Sequence, residues 1–424
     1  MIRRIRIDGY KSFKDFEVTL RPLSVIFGPN ASGKSNLLDA IYLLSRAVTC
    51  KNLKEGFEGH RGLPLESFHY EEEGYEGLLK KPQIRFIFEV DVEISPRVRH
   101  RVTEIVLEKR KGIESGEPEK EIVTERFLRY RLEIETLPTT GYLRVVDERL
   151  AAIKQNGNEK KRNPFLEKVP DDGRDRLHLR MEGQAHPTYH EIGLDHTIVS
   201  TALYEPHYPH ITAFRMELAN CHVYYLEPKT LMREEVPVAE VGGLGPRGEN
   251  LAAFLNVLKH RDNKAYEGFN LTLKRILPTD SRIEVEPHKE GRVGLRLSED
   301  GLWYSARLIS EGTLRLIGLL AAVHPANQAT LIGYEEPENG VHPVRLKIIA
   351  DLLKNSVQEH QKQIVVTTHS PIFPEYFDDT DLFVCQKEDH RTVIQPFKST
   401  GPLYKRGEIG RALEDRILRG DFGG

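Results

Sequence analysis

The run Gly28-Pro29-Asn30-Ala31-Ser32-Gly33-Lys34-Ser35 fits the pattern GxxxxGK[ST] at each fixed position. Such a run can cradle a polyphosphate. Its glycines let successive backbone N–H groups curl around an anion, the following helix start adds partial positive charge, and a lysine neutralises the outer phosphates. Lys34 is that lysine, and Ser35 offers a hydroxyl oxygen to magnesium. A second run, Leu331-Ile332-Gly333-Tyr334-Glu335-Glu336-Pro337, is apolar and ends in two acids. Paired carboxylates closing a buried strand need a partner, which magnesium and a nucleotide polyphosphate would provide. Glu335 is then the metal residue, acting through water, and Glu336 orients or deprotonates the water that attacks the γ-phosphate. Taken alone, this second run is an ordinary strand-to-loop exit, and the phosphate loop is what gives it a chemical reading.

Two further runs can touch phosphate. Val365-Val366-Thr367-Thr368-His369-Ser370-Pro371 ends a core strand in a histidine able to hydrogen-bond a phosphate or transfer a proton. Leu308-Ile309-Ser310-Glu311-Gly312-Thr313 sets Ser310 and Gly312 at the start of a helical pattern, where free N–H groups and the serine hydroxyl form a second anion site. By themselves these are a structural histidine and a capped helix.

The flanking patterns supply the elements that must position these groups. Ile5 and Ile7, then Phe16, Val18 and Leu20, alternate as strands, and residues 23–27 are a short buried run broken by Gly28. Leu37, Leu38, Ile41 and Leu44 carry helical spacing, so the glycine loop lies between a buried strand and a helix start. Residues 84–94 alternate as a half-buried antiparallel strand, with residues 102–109 and 127–137 expected as companion strands and 109–120 as an exposed hairpin loop. The charged stretch 156–176 is expected to be a solvated loop. Residues 251–258 read as a helix, and Ile283 with Val285, then Val293, Leu295 and Leu297, as strands. Helices over 314–323 and 346–353 and core strands over 330–334 and 364–368 follow, and 411–422 looks helical.

A chain of 424 residues, 39% hydrophobic, can bury a large core without staples. Its three cysteines, Cys50, Cys221 and Cys385, fit neither a disulfide framework nor a CxxC pair. His186 with His190, and His207 with His210, have metal-like spacings, but the neighbouring prolines argue against regular helix and favour solvated loop histidines. A net charge of −3 excludes a general polycation for nucleic acid, leaving 97–101 and 160–162 as local basic candidates. No stretch approaches the ~18 apolar residues of a membrane span, and the start lacks a signal peptide's apolar core. The expectation is a cytoplasmic protein with no membrane contact.

In order and spacing, the four runs resemble the ABC-type ATPase heads of the RecF, SMC and OLD (overcoming lysogenization defect) group. The opening Ile7-Asp8-Gly9-Tyr10-Lys11-Ser12-Phe13 and Asn36 after the phosphate loop share in the resemblance, which covers about residues 1–50 and 300–375. It implies an α/β fold: an ABC-type P-loop ATPase head, with a mixed sheet, flanking helices and an antiparallel β subdomain, and an inserted α+β middle region. The expected divisions are 1–95, 96–275 and 276–424. Gly28, Asn30, Ser32, Gly33, Lys34, Ser35 and Asn36, in and beside the Walker A loop, would hold ATP together with the signature residues Ser310 and Gly312. Ser35 and the Walker B residue Glu335 would hold Mg2+, Glu336 and the switch histidine His369 would be catalytic, and 338–343 would be the D-loop. The chain departs from the family pattern in having Glu335 where aspartate is usual and Ser-Glu-Gly-Thr where transporters show Ser-Gly-Gly-Gln. Gln83 is the candidate for the glutamine that senses magnesium.

The resemblance implies a homodimer or higher even oligomer. OLD-type proteins continue into a Toprim nuclease domain, and the roughly fifty residues after His369 are too few for one, so the chain is expected to be a stand-alone AAA-family ATPase. Three readings stand: an ATPase controlling a separate effector such as a nuclease in phage defence, a RecF-like repair clamp on DNA, and an ATP-dependent scaffold not acting on DNA.

Overall fold

Ile84, Phe86, Phe88, Val90 and Val92 face one side of a strand, and in the computed structural model all five are buried within Ile84–Glu93. The structure describes residues 1–70, 74–110, 121–171, 173–184, 186–277, 280–288 and 290–397. They form two units, neither continuous in sequence: residues 1–21, 39–221 and 386–394 in the first, and 22–38, 222–385 and 395 onward in the second. The expected boundary near 95 falls inside the first unit and that near 275 inside the second. The α/β class with mixed and antiparallel sheets is as expected. Among the described residues no helix is long and apolar enough to cross a membrane.

The first unit is built on an eight-stranded sheet in the order Phe16–Thr19, Ile2–Asp8, Ile84–Glu93, Phe127–Leu137, Tyr142–Ala152, Leu166–Asp171, Arg174–Arg180, Pro187–Glu191. Its strand pairs run antiparallel. One side of its central strands is apolar, with Ile5, Ile7, Phe86, Phe88, Tyr130 and Leu132 all buried. Alternate positions carry charge: Arg4 pairs with Glu89 at 2.9 Å, Arg129 with Asp91 at 2.6 Å and Arg131 with Asp147 at 3.0 Å. This alternation lets an antiparallel sheet have one apolar and one polar face.

Three expectations for this unit are corrected. Residues 102–109 are not a strand but part of the helix Pro96–Arg110, whose buried Val98, Val102 and Val106 recur every four residues. The β-branched valines suggested a strand, but this spacing puts them on one helix face. Within 156–176 lie the strand Leu166–Asp171 and the start of Arg174–Arg180, in which Leu166, Leu177 and Leu179 alone are buried. So few apolar side chains suffice for this hairpin, which is why composition suggested a loop. His210 is not a loop residue: it is 1% exposed in the helix Pro209–Ala219. Pro209 starts that helix because the first turn has no use for its missing N–H. The His210 ring stacks on Phe165 at 4.8 Å and meets Glu182 at 2.6 Å. His190 lies in the strand Pro187–Glu191. The loop expected over 109–120, beyond residue 110, and the helix over 411–422 lie outside the described residues.

The second unit holds the strands Leu331–Glu335, Gln363–Thr368 and Leu23–Phe27, side by side in that order, and the start of Leu382–Glu388 next to the last. Leu331–Glu335, Gln363–Thr368, Leu23–Phe27 and Leu382–Glu388 pair in parallel. Leu23–Phe27 and Gln363–Thr368 are buried at every residue, as strands covered on both faces must be. The expected helices are present as Leu251–Arg261, Glu311–Val323 and Leu346–His360, with Asn263–Ile276 in addition. A small antiparallel sheet pairs Arg292–Glu299 with Ser281–Pro287, Val236–Pro237 and Leu302–Ser305.

A buried carboxylate fixes the first unit's interior. Glu148, on Tyr142–Ala152, accepts the Ile198 N–H at 2.6 Å, the Val199 N–H at 3.1 Å and the Tyr130 hydroxyl at 2.9 Å. Burial nevertheless pushes its carboxyl from 4.5 up to about 7. Between those values the folded chain keeps a proton that the unfolded chain releases. The stabilisation is therefore complete below 4.5 and lost as the pH rises through about 7. Glu148→Gln cannot titrate, so the wild-type melting temperature minus the variant's is expected to fall between about pH 5 and about pH 8 in circular dichroism melts. A constant difference across that range would contradict the assignment.

Candidate functional site

Because the three strands are parallel and in register, with Glu335 beside Thr367 and Thr368 beside Phe27, their carboxyl ends deliver three sequence runs to one edge. Such edges are where open α/β sheets bind ligands. Gly28 leaves the first strand. A Cβ there would lie 2.1 Å from the Cys385 carbonyl oxygen, so only glycine fits. Ala31 and Gly33 take left-handed backbone, φ 61° and 98°, the type of turn from which N–H nests are made. Ser32 is buried, Asn30 exposed, and the Asn36 N–H donates to the Gly33 carbonyl at 3.1 Å.

Lys34 is buried, and its ammonium donates to the Gly28 and Pro29 carbonyls at 2.8 and 2.6 Å. Burial draws its pKa below the usual range, opposed by the Cys385 thiol and by Glu336, Glu335 and Glu338. The Ser35 hydroxyl donates to Glu335 Oε1, bringing together the two expected magnesium residues across 300 positions of sequence. A hydroxyl and a carboxylate are hard oxygen donors of the kind Mg2+ takes, so this pair fits the ion.

Glu336 has a left-handed backbone, φ 50°, uncommon for a non-glycine residue and costing on the order of 1–3 kcal/mol. Its N–H donates to the Thr367 carbonyl at 2.8 Å. One carboxylate oxygen lies 2.9 Å from His369 Nδ1 and the other accepts from the Asn339 amide. The two expected catalytic residues therefore touch. Ser310 caps Glu311–Val323, its hydroxyl accepting the Thr313 N–H at 3.1 Å. A Cβ on Gly312 would lie 2.2 Å from the Gly340 carbonyl, so this helix start is packed against the segment 338–343.

Sequence reasoning assigned no site role to Asn339, Thr368 or Cys385. Asn339 stands three residues after Glu336, the only available signal, and Cys385 comes from a strand distant in sequence. Gln83 is exposed ahead of Ile84–Glu93. Four of the basic candidates are paired: Arg99 with Glu121, Arg101 with Glu104 at 2.9 Å, Lys160 with Glu125 at 2.5 Å and Arg162 with Glu125 at 3.4 Å.

Residues 216–373 match the family described as AAA domain, putative AbiEii toxin, Type IV TA system, and residues 1–164 match the family described as AAA ATPase domain. A Helicobacter pylori protein named ATP/GTP phosphatase is 24% identical over 421 residues, covering 93% of this chain and 94% of that protein. The DNA replication and repair protein RecF of Chlamydia caviae is 38% identical over 78 residues, 18% of this chain and 21% of RecF. Among solved structures, an Smc head bound to the C-winged helix domain of ScpA superposes with a TM-score of 0.53 at 13% identity, covering 93% of this chain and 97% of that one. An Smc head domain with a coiled coil and joint, from Pyrococcus yayanosii, gives a TM-score of 0.51 at 9% identity, covering 98% and 99%.

The close approach of Gly312 to Gly340 makes a direct prediction. Gly312→Ala forces the helix start or the facing segment to move, an overpacking that costs about 1–3 kcal/mol. A melting temperature lower by several degrees is expected in calorimetry, and an unchanged one would show that the contact is not constraining.

Proposed function

We propose that this chain is an ABC-type, RecF/SMC-like ATPase head, that two copies close face to face on two ATP molecules and that this closure controls a separate effector protein; the two AAA matches, the ATP/GTP phosphatase relative and the Smc-head fold support the ATPase part. In this reading the loop N–H groups of residues 28–36 and the Lys34 ammonium hold the phosphates. Ser35 and Glu335 would hold magnesium, which would supply charge neutralisation at the phosphates. Glu336 orients the attacking water and accepts its proton, while His369 fixes the Glu336 carboxylate and reaches toward the γ-phosphate. The capped helix start at Ser310 and Gly312 serves the γ-phosphate of the opposite chain.

The observation that carries the dimer is exposed apolar surface beside the Ser310 run, the segment 338–343 and His369. Leu308, two residues before Ser310, is 74% exposed. Val344, just after the segment 338–343, is 77% exposed, and Ile372, three residues after His369, is 42% exposed. Large aliphatic side chains left in water at these positions suit a surface that a second copy covers, and a two-fold arrangement serves both nucleotides at once.

A separate effector, such as a nuclease in phage defence, is supported by the toxin and TA-system description of the family matched by residues 216–373. A RecF-like clamp on DNA is the second reading. The local identity to RecF favours it, and the pairing of four of the basic candidates with carboxylates weighs against it.

Lys34→Ala is expected to abolish the rise in melting temperature on adding Mg-ATP; an undiminished rise would remove the phosphate-loop assignment. Glu336→Gln keeps the shape of the side chain but cannot take a proton, so light scattering is expected to show the variant doubling in mass with Mg-ATP. Adding Ser310→Arg should reverse that doubling. If the resting protein is already dimeric, an ATP-dependent crosslink between positions beside Ser310 and the phosphate loop replaces mass as the readout. Absence of both the mass increase and that crosslink would sink the dimer.

A further inference from the structure

One carboxylate near the strand ends has no task in this scheme. Glu338 is only 9% exposed. Its Oε1 accepts the Thr368 hydroxyl, whereas Oε2 is buried and has no hydrogen-bond partner among the described residues. A buried carboxylate oxygen without a partner is costly, so its persistence calls for a partner that arrives with function. The surroundings indicate where. Thr368 directly precedes His369, and its hydroxyl oxygen also accepts the Ser370 N–H at 3.0 Å, so it organises the turn that carries the histidine. Glu338 follows Glu336 by two residues, and Asn339 beside it holds the Glu336 carboxylate. Burial raises the Glu338 carboxyl above its usual range, and His369, Glu336 and Lys34 all interact with it electrostatically. A solvated surface acid would have neither that burial nor those neighbours.

We propose that Glu338 is a positioning residue for ATP hydrolysis: through Thr368 it ties the turn bearing His369 to the segment bearing Glu336, and its second oxygen accepts a hydrogen bond from water in the loaded site. The tie keeps His369 within reach of Glu336, because each sits on a different strand end and the carboxylate–hydroxyl bond crosses between them. The water held by Oε2 restrains the segment after Glu336 once nucleotide is bound. This inference rests on the reading of Lys34 and Glu336 as an ATPase site.

The test measures steady-state hydrolysis and the Mg-ATP melting shift on the full chain for Glu338→Ala, Glu338→Gln and Thr368→Val. Glu338→Ala is expected to lower kcat by about 10–100-fold, as loss of a supporting partner does, with KM within about threefold and the Mg-ATP shift retained. Glu338→Gln keeps an acceptor for Thr368 but turns an N–H2 where Oε2 was, so kcat should be partly rescued. Thr368→Val should lower kcat, and combining it with Glu338→Ala should add less than its separate effect, since both break one tie. If Glu338→Ala lowers the nucleotide-free melting temperature, Glu338→Gln and Thr368→Val carry the decision. Wild-type kcat in both of those would overturn the proposal, as would wild-type kcat in a well-folded Glu338→Ala. A Mg-ATP shift that survives Lys34→Ala would instead remove the underlying ATPase reading, so the two failures are distinguishable.

Discussion

The parallel hydrogen-bond register of three strands is the constraint on which the candidate site depends. Leu23–Phe27, Gln363–Thr368 and Leu331–Glu335 lie side by side, with Phe27 beside Thr368 and Thr367 beside Glu335. The residues just past those pairs are Gly28, His369 and Glu336. A slip of one residue in either pairing would turn alternate side chains to the opposite face and part Ser35 from Glu335. The ladder that fixes this register runs unbroken, Leu331–Glu335 against residues 363–367 and residues 364–368 against Leu23–Phe27.

On that frame the site gathers an excess of acids around one buried cation. Glu335, Glu336 and Glu338 all act on Lys34, and each is bonded: Glu335 to Ser35, Glu336 to Asn339 and His369, and Glu338, through Oε1 alone, to Thr368. The loop itself is closed from behind by the Cys385 backbone, whose carbonyl leaves no room for a Cβ at Gly28. Burial also pushes the Cys385 thiol up to about 11, so this cysteine is a neutral packing group rather than a nucleophile.

The first unit follows a different physical logic. Its sheet has charged pairs at alternate positions and an apolar side, and its interior holds Glu148 on two backbone N–H groups and a tyrosine. These pairs are largely buried, Asp91 being 6% exposed, and they keep the sheet face that bears them polar.

The sequence by itself determined the parts that local chemistry fixes. The loop 28–35 needs glycines to turn and a helix start behind it, and the apolar runs over 330–334 and 364–368 read as covered core strands, so the nucleotide-type edge was legible without coordinates. It was not able to say that 102–109 is helical, because β-branched composition and four-residue spacing gave opposite signals, nor that 166–180 forms a hairpin with so few apolar side chains. Pro209 looked like a helix breaker when it is a helix starter, and His210 went into the core with it. Only the tertiary structure decided that Glu338 lies buried on Thr368, that Asn339 turns to Glu336 and that Cys385 backs the phosphate loop. Two of these contacts join residues 30 or more positions apart, and the third depends on the left-handed turn at Glu336; none leaves a periodicity in the chain, because burial and hydrogen bonding across strands are set by which segments become neighbours.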